Sequence, residues 1–212
     1  MSQAKPTPIL VGIVGGSGSG KSWLADKLLA ALDGQAVRLS LDNFYLDRSH
    51  LPPARRARLN FDHPRAIDWP RVEQVLADLL ASRPARVPDY DFKTHCRLAG
   101  DKLLQPKPII LMEGLWLLRR ASLRRRFSLR IFLDCPTRTR LRRRLARDLQ
   151  GRGRTRQSIQ EQFWNTVEPM HQVYVAPQIG WADLVLAQSC SERQAEQLAA
   201  RLQTLPAEPH PA

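Results

Sequence analysis

The stretch ILVGIVGGSGSGKSW, residues 9 to 23, constrains the chain more than any other. A run of apolar and β-branched residues enters a turn made of Gly15, Gly16, Ser17, Gly18, Ser19 and Gly20, followed at once by Lys21 and Ser22. The spacing G-x-x-x-x-G-K-S lies between an expected buried strand and the segment WLADKLLAAL, whose apolar residues recur at helical intervals. Without Cβ atoms the backbone curls until successive N–H groups converge on phosphate oxygens, at the positive end of a helix dipole. Lys21 then reaches the β and γ phosphates of a nucleotide, and the Ser22 hydroxyl faces Mg²⁺. A merely flexible Ser/Gly turn has no need of Lys and Ser directly after its last glycine. The expectation is a P-loop.

At 212 residues the chain suits one well-buried α/β domain and is short for two. We take residues 1–212 as a single domain with a core over about 9–190. The proline-bearing, aperiodic ends 1–8 and 205–212 are expected to fray. No apolar run has membrane-spanning length and no leader pattern opens the chain, so a cytoplasmic protein with no membrane partner is expected. Cys96, Cys135 and Cys190 are odd in number and lack C-x-x-C spacing, which argues against a disulfide framework or a zinc site.

The formal charge of +13 fits either a nucleic-acid binder or an enzyme of highly anionic small substrates. Much of the arginine is gathered between Arg119 and Arg156, where it interleaves with Leu141, Leu145 and Leu149 at helical spacing. No helix-turn-helix, zinc-finger or RNA-recognition signature accompanies it, so no specific nucleic-acid partner is expected.

Strand and helix patterns alternate along the chain. AVRLSLD reads as a short strand ending at Asp42. WPRVEQVLADLLAS reads as an amphipathic helix with Pro70 in its first turn. PIILMEG and LRIFLDC are continuous apolar runs, as strands buried on both faces of a parallel sheet require. TRTRLRRRLARDLQ reads as a helix capped by Thr137 and broken by GRGRTRQ. A further helix, broken at Pro169, leads to a last strand in ADLVLA and a polar C-terminal helix. The fold class expected is α/β, a doubly wound parallel sheet of P-loop type, with ligands at the carboxyl ends of the strands and an arginine-rich helical lid over about 140–165.

A phosphotransferase needs a metal site and a group that orients and deprotonates its acceptor. Asp42 and Glu113 each stand at the carboxyl end of an expected strand, the edge where the P-loop lies. Glu113 suits a carboxylate on Mg²⁺, and Asp42 suits both the metal and an acceptor hydroxyl. Asp134, before Cys135 and Pro136, reads as a turn residue.

Five blocks in order, GGSGSGKS, LSLDNFY, LNFDHPRAIDW, VPDYDFKTHCR and RLARDLQGRGR, the last after IILMEG, make residues 9 to 190 resemble the uridine (uridine-cytidine) kinases of the P-loop nucleoside kinases. The resemblance implies transfer of the ATP γ-phosphoryl group to the primary ribose hydroxyl of uridine or cytidine. It implies Asp42 as general base and metal neighbour, and Asp62 as acceptor of hydrogen bonds from the ribose diol. Tyr90 and His95 match pyrimidine contacts, with Tyr45, Phe61 and Phe92 as apolar walls. Arg144 and Arg154 match nucleoside contacts, as Gln162 does more weakly, while Arg147 and Arg152 match contacts to ATP phosphates. It also implies a homo-oligomer, a dimer or tetramer. The remaining arginines, Arg119, Arg120, Arg124, Arg125 and Arg126, are expected on a solvated face.

The chain departs from the family pattern at Trp23, where a second small hydroxyl residue is usual, and at Ile67, where an aromatic is common. Two other classes stay open. One is a kinase for another small alcohol, such as pantothenate, glycerate, ribulose phosphate or nicotinamide riboside. The other is a nucleic-acid-binding regulatory NTPase, motivated by the charge.

Overall fold

The structure, a computed structural model, describes residues 7–56, 58–151, 154–187 and 190–206. Five parallel strands form the central sheet: β1 (Ile9–Gly15), β2 (Ala36–Ser40), β3 (Ile109–Gly114), β4 (Leu129–Asp134) and β5 (Leu184–Ala187), in the order 2-3-1-4-5. Every residue of β1 and β3 is buried, which explains their unbroken apolar sequence. Along β1 the pleat sends Ile9, Val11 and Ile13 into one core and Leu10 and Val14 into the other. Each such side chain contributes roughly 1.5–3 kcal/mol by leaving water.

Helices cover both faces. On one, α1 (Lys21–Ala31) and the C-terminal helix Glu192–Gln203 pack on the Ile9/Val11/Ile13 side. On the other lies α2 (Trp69–Leu80), whose Val72, Val75, Leu76 and Leu79 are buried and whose first turn accepts Pro70 behind the Asp68 cap. No helix among the described residues is long and apolar enough to cross a membrane. Of the ends expected to fray, Pro8 is buried and Leu205 packs on the core; residues 1–6 and 207–212 lie outside the described residues.

Register fixes the working edge. Ser40 of β2 pairs with Glu113 of β3, and Ile13 of β1 pairs with the same Glu113, so three strands end level. The chain turns outward to the right and left of β1, and a crevice opens there. β2 stops at Ser40, two residues earlier than its sequence pattern suggested. Asp42 sits instead in a 3-10 turn, Leu41–Phe44, and its own amide donates to the Ser40 hydroxyl.

Two expectations about helices and one about arginines are corrected. Thr137 is the first residue of α3 (Thr137–Gly151) and not its cap: its hydroxyl donates to Glu168 and accepts from Arg140. The chain stays helical through Pro169, from α4 (Arg156–Gln162) to Trp181, because wide π turns at Phe163–Val167 and His171–Val175 flank a proline that has no N–H to give. The arginines after β3 are not uniformly solvated. Arg120 and Arg124 are half-buried, over the rings of Trp69 and Trp181 at 5.0 and 4.5 Å; Arg119 is exposed but lies 4.9 Å over Tyr174, and Arg125 and Arg126 are exposed.

Candidate active site

The turn after β1 is built from its glycines. Gly18 has φ +80°, and a Cβ there would lie 2.4 Å from the Arg140 carbonyl oxygen, so no other residue fits. Gly20 precedes α1, whose start has no side-chain cap and no acid in its first turn. The first N–H groups of α1 are therefore left for an anion. Lys21 Nζ donates to the Gly16 carbonyl across the loop at 3.0 Å. Burial pushes its ammonium down from the ordinary value, opposed by the charges of Glu113 and Asp42, so this half-buried cation stands beside two carboxylates.

Ser22 Oγ donates to the Glu113 carboxylate at 3.0 and 3.2 Å, and Arg38 pairs with Glu113 from the far side. A hydroxyl and one or two carboxylates beside a phosphate cradle form the hard oxygen set that suits Mg²⁺, which usually keeps waters and phosphate oxygens as its other ligands. Among the described residues no group of three or more His, Cys, Asp or Glu forms a cage, so any metal here depends on the nucleotide for ligands.

Opposite the P-loop, the backbone beyond Asp42 pairs with the segment beyond Asp62. Leu46 N donates to Ala66 O at 2.8 Å, Asp68 N to Phe44 O at 2.8 Å, and Tyr45 bridges Ile67. The Asn60 side chain accepts from Asp62 N at 2.9 Å, an Asx turn that sets the carboxylate's direction. Tyr45 donates to Phe61 O at 3.1 Å, and burial, with Asp42 and Asp62 close by, pushes its phenol well above the ordinary value.

A hairpin of two-residue strands, Tyr90–Asp91 and Cys96–Arg97, carries the next group. The Asp91 side chain ties its tip, accepting from Lys93 N at 2.9 Å and from the Thr94 hydroxyl at 2.8 Å. His95 takes the left-handed conformation there, φ +56°, and stacks on Phe61 with centroids 4.4 Å apart. Such backbone costs about 1–3 kcal/mol and is concentrated at functional sites.

The helical arm is charged on its inside. In α3 the buried residues are Arg140, Arg144 and Asp148, whereas Leu141 and Leu145 are half-buried and Leu149 is 39% exposed. Arg140 pairs with Glu168 at 2.7 Å. Arg144 donates to the Ser17 hydroxyl at 2.9 Å and to Gln162 at 2.8 Å, and Arg143 donates to Ser19 O at 3.0 Å. Arg154 joins the same Gln162 and donates to Ser158 Oγ at 2.8 Å, and Arg147 donates to Asp148 at 2.7 Å.

Much of this faces one cavity of about 800 Å³. Ser17, Gly18, Gly20, Lys21, Ser22, Asp42, Tyr45, Phe61, Asp62, Tyr90, Phe92, His95, Glu113, Arg144, Arg147, Arg154 and Gln162 line it together. Gly15, Gly16 and Ser19 belong to the back of the turn and are not in its lining; Arg152 lies outside the described residues. Sequence reasoning missed Arg56, Lys93 and Arg143 in the lining. Arg143 had a signal, since it stands four residues before Arg147 and so shares its helix face.

A phosphate-gripping turn on the middle strand of a doubly wound parallel sheet, faced by carboxylates and arginines, defines the P-loop kinases, and fold and cavity put the chain in that class. Within it the chain belongs to the phosphoribulokinase / uridine kinase family, which it matches over residues 10–195. It is 37% identical over 199 residues to a uridine kinase of Deinococcus deserti, covering 93% of this chain and 96% of that one. It is 38% identical over 211 residues to a uridine kinase of Tolumonas auensis, covering 97% and 99%. Among solved structures, phosphoribulokinase from Rhodobacter spheroides superposes with a TM-score of 0.64 at 16% identity, over 91% of this chain and 75% of that one. At that identity the likeness speaks for the fold alone.

Proposed function

We propose that the protein transfers the γ-phosphoryl group of ATP to the primary ribose hydroxyl of uridine or cytidine, releasing the nucleoside monophosphate. One observation carries this reading: the P-loop Lys21 and Ser22 share a cavity with Asp42, Asp62, Tyr90 and His95. The relatives named uridine kinase, matched over nearly the whole chain, support the same acceptor.

In this reading the amides of Gly15 to Gly20 and the start of α1 hold the donor's phosphates, with Lys21 on the β and γ groups. Arg147 and Arg152 add charge on the departing side, forking onto phosphate oxygens. Ser22, Asp42 and Glu113 would hold Mg²⁺, which would supply neutralisation of charge on the transferring group. Asp42 takes the proton from the attacking hydroxyl, so that the O–P bond forms as the bond to the ADP oxygen breaks. Asp62 accepts both hydroxyls of the ribose diol, as one carboxylate can. Tyr90 and His95, with Tyr45, Phe61 and Phe92, hold the pyrimidine, and Arg144, Arg154 and Gln162 close over the nucleoside. Residues of about 140–165 act as a lid that excludes water, a competing acceptor. The single domain works in the cytoplasm as a homo-oligomer, dimer or tetramer, whose mass light scattering reads directly.

A panel of uridine, cytidine, purine nucleosides, pantothenate, glycerate, ribulose phosphate and nicotinamide riboside, each with ATP and Mg²⁺, tests the reading by product mass. Uridine or cytidine monophosphate is the expected product. Turnover of another alcohol with neither pyrimidine nucleoside consumed would sink the acceptor assignment.

A further inference from the structure

The helical segment from Arg156 to Trp181 meets, in succession, the cavity and two of the loops that build it. At its start Gln162 accepts from Arg144 at 2.8 Å and also pairs with Arg154. In the middle, His171 lies against the P-loop: a Cβ added at Gly16 would sit 2.7 Å from its Nδ1. Three residues further on, Tyr174 reaches the loop that carries Asp62.

That last contact is specific in its chemistry. Arg65 N–H donates to His63 Nδ1 at 3.0 Å, so in the neutral ring the proton sits on Nε2. Nε2 lies 2.9 Å from the Tyr174 hydroxyl, and the two rings meet edge to face with centroids 4.8 Å apart. Tyr174 is itself held. Its carbonyl accepts from Gln178 Nε2 at 2.9 Å, and the Arg119 guanidinium lies 4.9 Å over its ring. Gln178, wholly buried, also donates to Leu115 O at 2.7 Å and accepts from Leu118 N at 2.9 Å, just beyond Glu113. Tyr174 is thus fixed to the frame that holds the P-loop and Glu113, while His63 adjoins Asp62 in sequence.

We propose that the His63–Tyr174 hydrogen bond positions Asp62, and through it the acceptor, relative to the P-loop. The inference rests on the proposed role of Asp62 toward the acceptor's diol. Neither His63 nor Tyr174 lines the cavity, so both are positioning residues and act through the carboxylate. The 3-10 turn that His63 caps, Pro64–Ala66, transmits the constraint, because its first amide is bonded to the same imidazole.

Tyr174→Phe removes the hydroxyl and keeps the ring under Arg119. His63→Asn keeps a side-chain acceptor for Arg65 N but is too short for Tyr174. Each variant is expected to raise KM for uridine roughly 2–10-fold, the worth of one hydrogen bond. KM for ATP should stay within about twofold, and the double variant should be no worse than either single one. His63→Gln, longer by one methylene, should recover part of the loss. An unchanged KM for uridine in both single variants overturns the proposal. So does an equal rise for uridine and ATP, or additive losses in the double variant. Should the wild-type enzyme prove to phosphorylate another alcohol of the panel, the acceptor assignment falls, and the same variants are judged by KM for that alcohol.

Discussion

At the scale of single residues, Asp42 and His171 carry separable predictions. Asp42 stands in the short 3-10 turn capped by Ser40, facing Lys21 across the cavity. Asp42→Asn keeps the shape and removes the base, so kcat should fall roughly 10²–10⁴-fold with the thermal midpoint nearly unchanged; a loss below tenfold would remove the proposed role. His171 is held neutral: burial, then the Arg140 guanidinium, pushes its imidazole from the ordinary 6.5 to about 4. The unfolded chain takes up this proton as pH falls below 6.5 and the folded chain does not until about 4, so stability drops through that window. The ring is partly solvent-facing, which screens the effect to roughly 2 kcal/mol. Urea unfolding at pH 7 and pH 4.5 should show wild type losing more than His171→Gln over that step. Residues of the quoted motifs were legible because each chemistry needs its own spacing. Arg143 was hidden in a run of three consecutive arginines, where only helical phase decides which one meets Ser19.

At the scale of elements, α3 inverts the usual reading of an amphipathic helix. Its leucines recur at the right interval, yet the buried side is Arg140, Arg144 and Asp148, since that side faces the P-loop and the helix bearing Glu168. The pattern of apolar residues cannot reveal this, because the partners that make burial of charge tolerable lie far away in sequence. Arg140→Leu should destabilise by about 1–3 kcal/mol, by leaving the partly buried Glu168 without its charged donor. Adding Glu168→Leu should restore most of the loss. Chemical denaturation of the two variants decides: a double variant no more stable than the single one would deny that the pair acts as a unit. β1, β3 and β4 were legible because strands buried on both faces read as continuous apolar runs. The hairpin bearing Tyr90 and His95 was not, since strands of two residues are too short to show a period.

At the scale of the molecule, the +13 charge is gathered in part around a cavity for a polyanion. ATP and an uncharged nucleoside should therefore respond differently to salt. Raising KCl from about 50 to 300 mM should lower kcat/KM for ATP severalfold and leave KM for uridine almost unmoved, since screening acts on the charged partner. Equal sensitivity of both substrates would argue that the surface field plays no part in donor capture. The sheet order was legible only as a class, because register joins Ser40, Glu113 and Ile13 across more than 70 residues of chain.

The segment from Gln162 to Tyr174 meets the chamber and two of the loops that build it, and along its alternating α and π turns each residue rotates the helix by roughly 80–100°. Adding or removing a single amino acid inside it would swing every later side chain off its mark together, much as a camshaft loses all its timing from one slipped tooth. Its length should accordingly be far less forgiving than its composition.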